Sequence, residues 1–353
     1  MLDLNTYQTQ KKKTNTEKLR AILSELPTFC GYFFRSVETR TSILTRCGYA
    51  LDLKGFFTFL VSDVDLFAGR DILSLTLADI EKVKALDIEL YLDKMTLYTN
   101  NDVERENSES AKARKLSAIR SFFKYYYKQE MISQNVASLV DIPKIHEKAI
   151  IRLDANEVAD LLDIAEDGDG LSKTQKRFHK ATKIRDVAIL TLFLGTGIRI
   201  SELIGLDIED IDYENSMFLI TRKGGNQERL SFGDEVKRAL LEYMEQRTKV
   251  APYPGHEHAL FLSLQRKRIS ARAVENLVVK YASTASPLKK ITPHKLRSTY
   301  GTMLYHESND IYLVADVLGH KDINTTRKHY AALSEEKRRT AAKMIKLRED
   351  DPH

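Results

Sequence analysis

Hydrophobic residues recur every three to four positions along most of this chain, which is the spacing of amphipathic helices. In the first part of the sequence, this pattern predicts helices over 17–26, 41–61, 76–84, 87–98 and 109–130. Thr16 is a candidate N-cap for the first of them, and Pro27 ends it. The polar stretch NNDVERENSES, which comes before the last of these helices, predicts a loop. The first part of the chain is therefore expected to form a helical domain.

The helical pattern breaks at 139–153, where Pro143 is incompatible with a helix and charged residues surround it. We interpret this break as a linker between two domains. Asp154 is then a candidate cap for a new amphipathic helix. Helical spacing continues over 177–194, 234–249, 270–283, 293–307, 310–318 and 334–347. The second part of the chain is therefore also expected to be mostly helical.

One segment of this second part departs from helical spacing. Within 211–232, two short β-type runs, SMFLITR and QERLSF, flank the residues KGGN, and this pattern predicts a hairpin. The predicted fold is mainly α, with a small antiparallel sheet in the second domain. Its predicted parts are a short N-terminal extension at 1–16, a helical domain at 17–140, a linker at 141–153 and a larger domain at 154–353 that ends in helix 334–347.

Length and composition agree with this division. A chain of 353 residues suits two domains of roughly 100–200 residues each, and 42% hydrophobic residues are enough for a sizeable core. Two cysteines, Cys30 and Cys47, cannot form a disulfide framework or a four-cysteine metal site. The first residues have no apolar stretch of the signal-peptide type, and no run approaches the ~20 apolar residues of a membrane span. We expect a cytoplasmic protein with reduced thiols.

The net charge of +5 does not by itself indicate a nucleic-acid partner, but three windows concentrate the basic residues. Residues 111–129 and 172–185 each hold six Lys or Arg and no acid, and 263–299 hold nine against one glutamate. Such stripes are typical of surfaces that follow DNA phosphates, although a solvated helix face is the equally weighted alternative. The candidate DNA contacts are Lys112, Lys115, Arg120, Lys124, Lys128, Lys173, Lys176, Arg177, Arg266, Lys267, Arg268 and Arg272. The Phe/Tyr cluster at 122–127 is interpreted as core rather than as a surface for base stacking.

Four segments together contain the groups that phosphoryl transfer on DNA requires. They are LGTGIRISEL at 194–203, TRKGGN at 221–226, HKLR at 294–297 and LGHKDINTTRKHY at 318–330. The scissile phosphate develops charge on its non-bridging oxygens, and arginine binds phosphate through two parallel hydrogen bonds while keeping its charge. Histidines add donors that move protons near neutral pH, a tyrosine forms a phosphate ester, and an acid protonates the departing oxygen. The residues that supply these groups without a metal or other cofactor are Arg199, Lys223, His294, Arg297, His320 and Tyr330.

These segments resemble the motifs of the tyrosine recombinase/integrase family. TGIRISEL resembles the first-arginine box, HKLR matches the His-x-x-Arg box, LGH matches the second-histidine box and TTRKHY resembles the nucleophile segment. Lys223 lies in the predicted hairpin turn, where the family has its lysine. Tyr330 comes ten residues after His320, one more than is usual in the family. Overall, the chain is most similar to the single-protein XerS-type recombinases that resolve chromosome dimers.

The resemblance implies a metal- and ATP-independent enzyme that cuts and rejoins DNA. Tyr330 would form a 3′-phosphotyrosine intermediate, Lys223 would protonate the 5′-oxygen, and Glu202 would orient the catalytic groups from behind. If Lys223 is not the acid, His294 or Arg222 is the next candidate. The resemblance further implies a DNA-binding role for 17–140, catalysis by 154–353 and a homotetramer on two dif-like sites. It also implies activation by a septal DNA translocase of the FtsK type, and docking of helix 334–347 on a neighbouring protomer.

Simpler structural interpretations of these residues stay open. Arg199 is three residues from Glu202 and forms a helical ion pair in the plainest interpretation. Lys223 is then an ordinary hairpin lysine, His294 a helix-start residue and His320 a helix C-cap. Three other tyrosines in the second domain are expected in the core, namely Tyr300, Tyr305 and Tyr312. The functional alternatives are a mobile-element integrase, a type IB-like topoisomerase and a DNA-binding protein without catalysis.

Overall fold

A computed structural model describes residues 7–100, 103–145, 150–222 and 225–319, without the side chains of 98–105. The chain divides into two compact units, Met1–Lys148 and Ala149–His353. The boundary falls inside 141–153, the segment interpreted above as a linker. Within the described ranges, no helix is both long enough and apolar enough to cross a membrane.

The first unit is a set of helices with one small hairpin. The helices are α1 (Tyr7–Leu23), α2 (Cys30–Ser36), α3 (Ile43–Asp63), α4 (Leu77–Ile80), α5 (Ala85–Lys94) and α6 (Glu109–Lys128). Strands β1 (Leu97–Asn100) and β2 (Val103–Glu106) pair antiparallel between α5 and α6. Two predictions are wrong here: the helix start at 17 and the loop where this hairpin lies. Helix α2 was not predicted. Thr16 is not a cap, since its hydroxyl donates to the Lys12 carbonyl inside α1 at 2.8 Å.

Aromatic side chains fill the core of the first unit. Phe122 lies between Phe33, Phe57 and Tyr126, with ring centroids 4.9–5.6 Å apart in edge-on arrangements. All four are essentially fully buried, and edge-to-face pairs stabilise a core beyond simple area burial. The prediction that the 122–127 cluster is core is confirmed for Phe122, Phe123 and Tyr126, whereas Tyr127 is half exposed.

The second unit contains ten α-helices and strands in the described ranges, besides a 3-10 turn at Ile208–Asp210. They are α7 (Ala155–Asp167), α8 (Lys173–Thr196), α9 (Ile200–Leu203), β3 (Ile211–Asp212), β4 (Met217–Thr221), β5 (Gln227–Ser231), α10 (Asp234–Arg247), α11 (Ala271–Ala285), α12 (Pro293–Ser308) and α13 (Ile311–Val317). Asp154 caps α7 as predicted, because its carboxylate accepts the Glu157 amide at 3.0 Å. Helix α8 is central: α7, α10 and α12 all pack against it.

The sheet of the second unit has the antiparallel order β3-β4-β5. The predicted hairpin is confirmed, with Met217 opposite Ser231 and Thr221 opposite Gln227. The two-residue strand β3 was not predicted. The mainly α fold with a small antiparallel sheet is thus the observed one.

The tyrosines of the last helices divide differently from the prediction. Tyr305 is buried and Tyr300 is partly buried, but the side chain of Tyr312 is 73% exposed. Helix α13 buries only Val314, Ala315 and the following Leu318. Tyr312 therefore lies on the solvent side of a short helix, and its assignment to the core is wrong.

Candidate active site

The turn between α8 and α9 places Arg199. Helix α8 ends at Gly197, whose φ of +61° is left-handed and strained for other residues. A Cβ on Gly197 would also approach Cδ1 of Tyr300 to 2.4 Å, so two separate constraints require glycine. Arg199 follows two residues later as the N-cap residue of α9.

Arg199 is held on two sides. Its Nη1 donates to Oε1 of Glu202 at 2.9 Å, and its backbone amide donates to Oε2 of the same carboxylate at 3.0 Å. Its Nη2 donates to the carbonyl oxygens of Leu318 and Gly319, both at 3.1 Å. The Glu202 side chain is buried, whereas one third of the Arg199 side chain is exposed. Arg199 therefore forms the predicted ion pair with Glu202 and still leaves part of its guanidinium accessible to a phosphate.

Helix α12 supplies the second arginine. The helix starts with Pro293 in its first turn, where proline costs no hydrogen bond. His294 is exposed, and Arg297, one turn later, is only 5% exposed. Arg297 donates to the carbonyls of Gly197 and Leu318. Both hydrogen bonds connect α12 to the two turns that flank the site.

The third guanidinium comes from Arg222, the residue after β4. Its Nε and Nη2 donate to the two carboxylate oxygens of Glu228 at 2.5 and 2.6 Å. Its Nη1 reaches the Leu318 carbonyl at 3.2 Å, and its Nη2 reaches the Val317 carbonyl at 3.3 Å. Its side chain is 9% exposed, and its Nη1 lies 3.9 Å from Oε1 of Glu202. The sequence indicated Arg222 only as a substitute acid for Lys223.

These three guanidinium groups meet at one atom, the carbonyl oxygen of Leu318. We call Arg199, Arg222 and Arg297 the arginine cluster. Leu318 is the C-cap residue of α13, and the end of a helix carries partial negative charge that attracts cations. Gly319 follows with φ +57°, and a Cβ there would come within 2.3 Å of Arg222 Nη1. The cluster is therefore packed tightly against the end of α13.

The charges around the cluster shift the pKa values of Arg222 and of its partner Glu228. The hydrogen bond from Arg222, followed by the charges of Arg222, Arg199 and Arg297, lowers the pKa of Glu228 despite its partial burial. Burial lowers the pKa of Arg222, but the Glu228 hydrogen bond and the charges of Glu202, Glu228 and Asp316 raise it overall. Arg222 thus stays charged at working pH, as a phosphate site needs.

Three of the predicted catalytic residues, Lys223, His320 and Tyr330, lie outside the described residues, as does the predicted helix 334–347. Lys223 directly follows Arg222 in sequence, and His320 directly follows Gly319. The described contacts therefore bring together Arg199, Glu202 and Arg297 from the prediction with Arg222 and Glu228. His294 lies one turn before Arg297 on α12.

The predicted DNA contacts differ in how exposed they are. Arg268 is the clearest exception, because its side chain is 9% exposed and donates to the Ile204 and Leu206 carbonyls and to Asp207. These contacts assign Arg268 to the fold of the second unit rather than to a basic surface. The exposed members are Lys124, Lys128, Lys173, Lys176, Arg177, Arg266 and Arg272.

The remaining predicted contacts are partly buried. Lys112 pairs with Glu109 at 2.7 Å, and Lys115 lies 3.6 Å from the buried Asp52. Lys267 lies over the ring of Tyr253 at 4.4 Å. Arg120 donates to the carbonyls of Ala137 and Val140. Contact of these residues with DNA stays a prediction.

Residues 151–337 match the phage integrase family. The chain is 35% identical over 306 residues to tyrosine recombinase XerC of Caldanaerobacter subterraneus subspecies tengcongensis, covering 84% of this chain and 79% of that protein. It is 28% identical over 358 residues to tyrosine recombinase XerS of Streptococcus agalactiae, covering 95% and 100%. Among solved structures, its fold is similar to that of the XerH site-specific recombinase bound to palindromic difH substrate, with a TM-score of 0.61 and 21% identity over 82% of this chain and 76% of that one.

Proposed function

We propose that this chain uses Tyr330 as its nucleophile at a defined DNA site. The chain belongs to the phage integrase family of tyrosine recombinases, and so to the enzymes that cut and rejoin DNA. The observation that carries the proposal is the convergence of Arg199 and Arg297 on a single acceptor oxygen. Two guanidiniums whose N–H groups meet at one oxygen can also meet at a non-bridging phosphate oxygen. Fixed donors of this kind stabilise the charge that develops during phosphoryl transfer.

The proposed reaction conserves the phosphodiester energy. The Tyr330 hydroxyl gives its proton to solvent and its oxygen bonds to phosphorus, while the bond from phosphorus to the 5′-oxygen breaks. The products are a 3′-phosphotyrosine link and a free 5′-hydroxyl, whose proton comes from Lys223. Arg199, Arg297, His294 and His320 hold the phosphate in this scheme, and Glu202 orients Arg199 through the hydrogen bonds described above. Rejoining is the reverse attack by the 5′-hydroxyl of a partner strand, so neither ATP nor a metal is needed.

We further propose a role of the Xer type, in the cytoplasm, on a dif-like site of the chromosome. XerS, similar over 95% of this chain, and XerH, solved with difH substrate, support this assignment. The corresponding assembly is a homotetramer on two sites, activated by a septal DNA translocase. Recombination between two copies of a chromosomal palindromic site of about thirty base pairs tests this proposal. Recombination only at the ends of a mobile element would instead assign the chain as an element's integrase.

The nucleophile is tested by Tyr330→Phe, which keeps the ring and removes the attacking oxygen. The variant should bind its site with unchanged affinity and give no covalent protein–DNA adduct on a denaturing gel. Tyr312→Phe is a matched control, since Tyr312 is an exposed tyrosine of the same unit, and this variant should keep full adduct formation. An adduct in Tyr330→Phe that maps to another residue would show that the assignment is wrong.

A further inference from the structure

Arg222 forms backbone hydrogen bonds with residues on the far side of the hairpin turn whose sequence contains Lys223. Its backbone amide donates to the Asn226 carbonyl at 2.8 Å, and its own carbonyl accepts the Gly225 amide at 3.0 Å. Its side chain holds Glu228 on β5 through two hydrogen bonds, at 2.5 and 2.6 Å. Backbone and side chain of one residue thus fix the base of this turn.

The opposite edge of the same guanidinium binds the end of α13. Its Nη1 donates to the Leu318 carbonyl, the acceptor that also holds Arg199 and Arg297, and its Nη2 donates to the Val317 carbonyl. The group is nearly buried, and Gly319 leaves no room for a Cβ beside it. Because a guanidinium is planar with donors at fixed angles, a lysine cannot make this set of bonds.

We propose that Arg222 is a positioning residue, which holds the turn containing Lys223 in register with the arginine cluster and so sets the efficiency of leaving-group protonation. This inference rests on the proposed function, in which Lys223 is the acid. A direct role in phosphate binding fits less well, since Nε and Nη2 of Arg222 already bind the Glu228 carboxylate, whose negative charge offsets that of the guanidinium. Arg222 therefore acts through the residue that follows it.

The test uses two DNA substrates in single-turnover cleavage by the full-length protein. One has the normal 5′-bridging oxygen, and the other has a 5′-bridging sulfur, which leaves without needing a proton. A loss of general-acid function appears with the first substrate and disappears with the second. Arg222→Gln should slow cleavage of normal DNA by about 10- to 100-fold and cleave the sulfur substrate within a few-fold of the wild-type rate.

Two further measurements separate positioning from a structural role. Lys223→Ala should show the same rescue by sulfur, and the double variant Arg222→Gln/Lys223→Ala should be no slower than Lys223→Ala alone. Glu228→Gln removes the partner while keeping Arg222, so it should show a weaker defect that sulfur also rescues. Arg229→Gln is the matched control, because Arg229 is an exposed arginine on the same strand, and it should cleave both substrates normally.

Each result decides between the inference and the proposed function. If Lys223→Ala is rescued by sulfur and Arg222→Gln and Glu228→Gln are not, the positioning role is wrong while the acid assignment stands. If Lys223→Ala is not rescued, Lys223 is not the acid and the inference fails with that assignment. If Arg222→Gln does not fold, judged by its thermal unfolding, Arg222→Lys and Glu228→Gln carry the same comparison of substrates.

Discussion

Two regions of this protein use arginine in the same way and differ in what surrounds it. In the first unit, Arg120 on α6 donates to the carbonyls of Ala137 and Val140 at the end of a short helical turn. In the second unit, Arg297 donates to the carbonyls of Gly197 and Leu318 at the ends of α8 and α13. In each case the bonds hold the side chain against the ends of helical segments.

The basic residues beside these two arginines differ in type and in how firmly other residues hold them. Beside Arg120, the exposed lysines Lys124 and Lys128 follow at intervals of four residues, and Lys124 lines a groove with Ser121, Asn135 and Ser138. Beside Arg297 there are two more arginines, held in fixed positions by carboxylates. Lysines on flexible stems attract a polyanion without orienting it, whereas fixed guanidiniums orient one phosphate. We therefore expect α6 to govern affinity and the arginine cluster to govern cleavage.

The largest expected effect tests whether the arginine cluster governs cleavage. Arg199→Lys and Arg297→Lys keep the charge but lose the paired donors, so single-turnover cleavage should fall by about 10²–10³-fold. Half-site affinity should stay within a few-fold of the wild-type value, because the α6 lysines remain. Both quantities are measured in the same buffer, by covalent adduct formation and by gel shift.

Arg247→Lys is the matched control for these two variants. Arg247 is as buried as Arg297 and likewise donates to backbone carbonyls, those of Glu257 and Ala259. Its loss should lower the unfolding temperature without a selective loss of cleavage by the folded protein. An equal loss of cleavage in Arg247→Lys would mean that lost stability, rather than lost phosphate contact, explains the other two variants.

The next effect is on affinity. The double variant Lys124→Ala/Lys128→Ala removes two exposed cations from α6, so the slope of log K against log salt should decrease by about one per lysine. Cleavage at saturating protein should be unchanged. Lys82→Ala/Lys84→Ala removes two exposed lysines of the same unit that lie outside the basic windows and should leave the slope unchanged. Equal slopes for the two double variants would contradict the assignment of α6 to DNA.

The sequence could predict features that depend on neighbouring residues, but not features that depend on contacts between distant residues. The Arg199 turn and the start of α12 depend on neighbouring residues, a glycine and a proline, so local signals are sufficient. The role of Arg222 depends on Leu318, far away in sequence, and no local pattern reports such a contact. A partial signal existed in Glu228, which faces Ile220 across the hairpin, close to Arg222.

Misassignments elsewhere have similar causes. Residues 97–106 form a hairpin although they are mostly polar and lack the alternation that marks a half-buried strand. Tyr312 follows helical spacing, but α13 is too short to bury more than one narrow stripe. Arg268 lies in a basic window, yet its guanidinium donates hydrogen bonds to backbone carbonyls inside the fold. Composition reports the charge of a segment and does not report the direction of a side chain.

The smallest expected effect distinguishes the two regions by pH. Arg222 of the arginine cluster is paired with a carboxylate that titrates in the acid range, Glu228. The bond from Arg222 lowers the pKa of Glu228 in the folded state. The stabilisation from this pair is therefore complete above the ordinary pKa of glutamate and is lost as the pH falls through the lower, folded value.

Glu228→Gln measures this stabilisation directly. At pH 7 the variant should unfold about 2 °C below the wild-type protein, a small shift because the Glu228 side chain is 41% exposed and solvent screens the pair. The difference should persist to the ordinary pKa of glutamate and decrease toward zero below it, since both proteins then carry a neutral side chain at this position. Glu242→Gln, an exposed position on α10, controls for the loss of one surface charge. A difference that stays constant down to pH 3 would show that the charge of Glu228 does not hold Arg222, and would leave Arg222 held by the Val317 and Leu318 carbonyls.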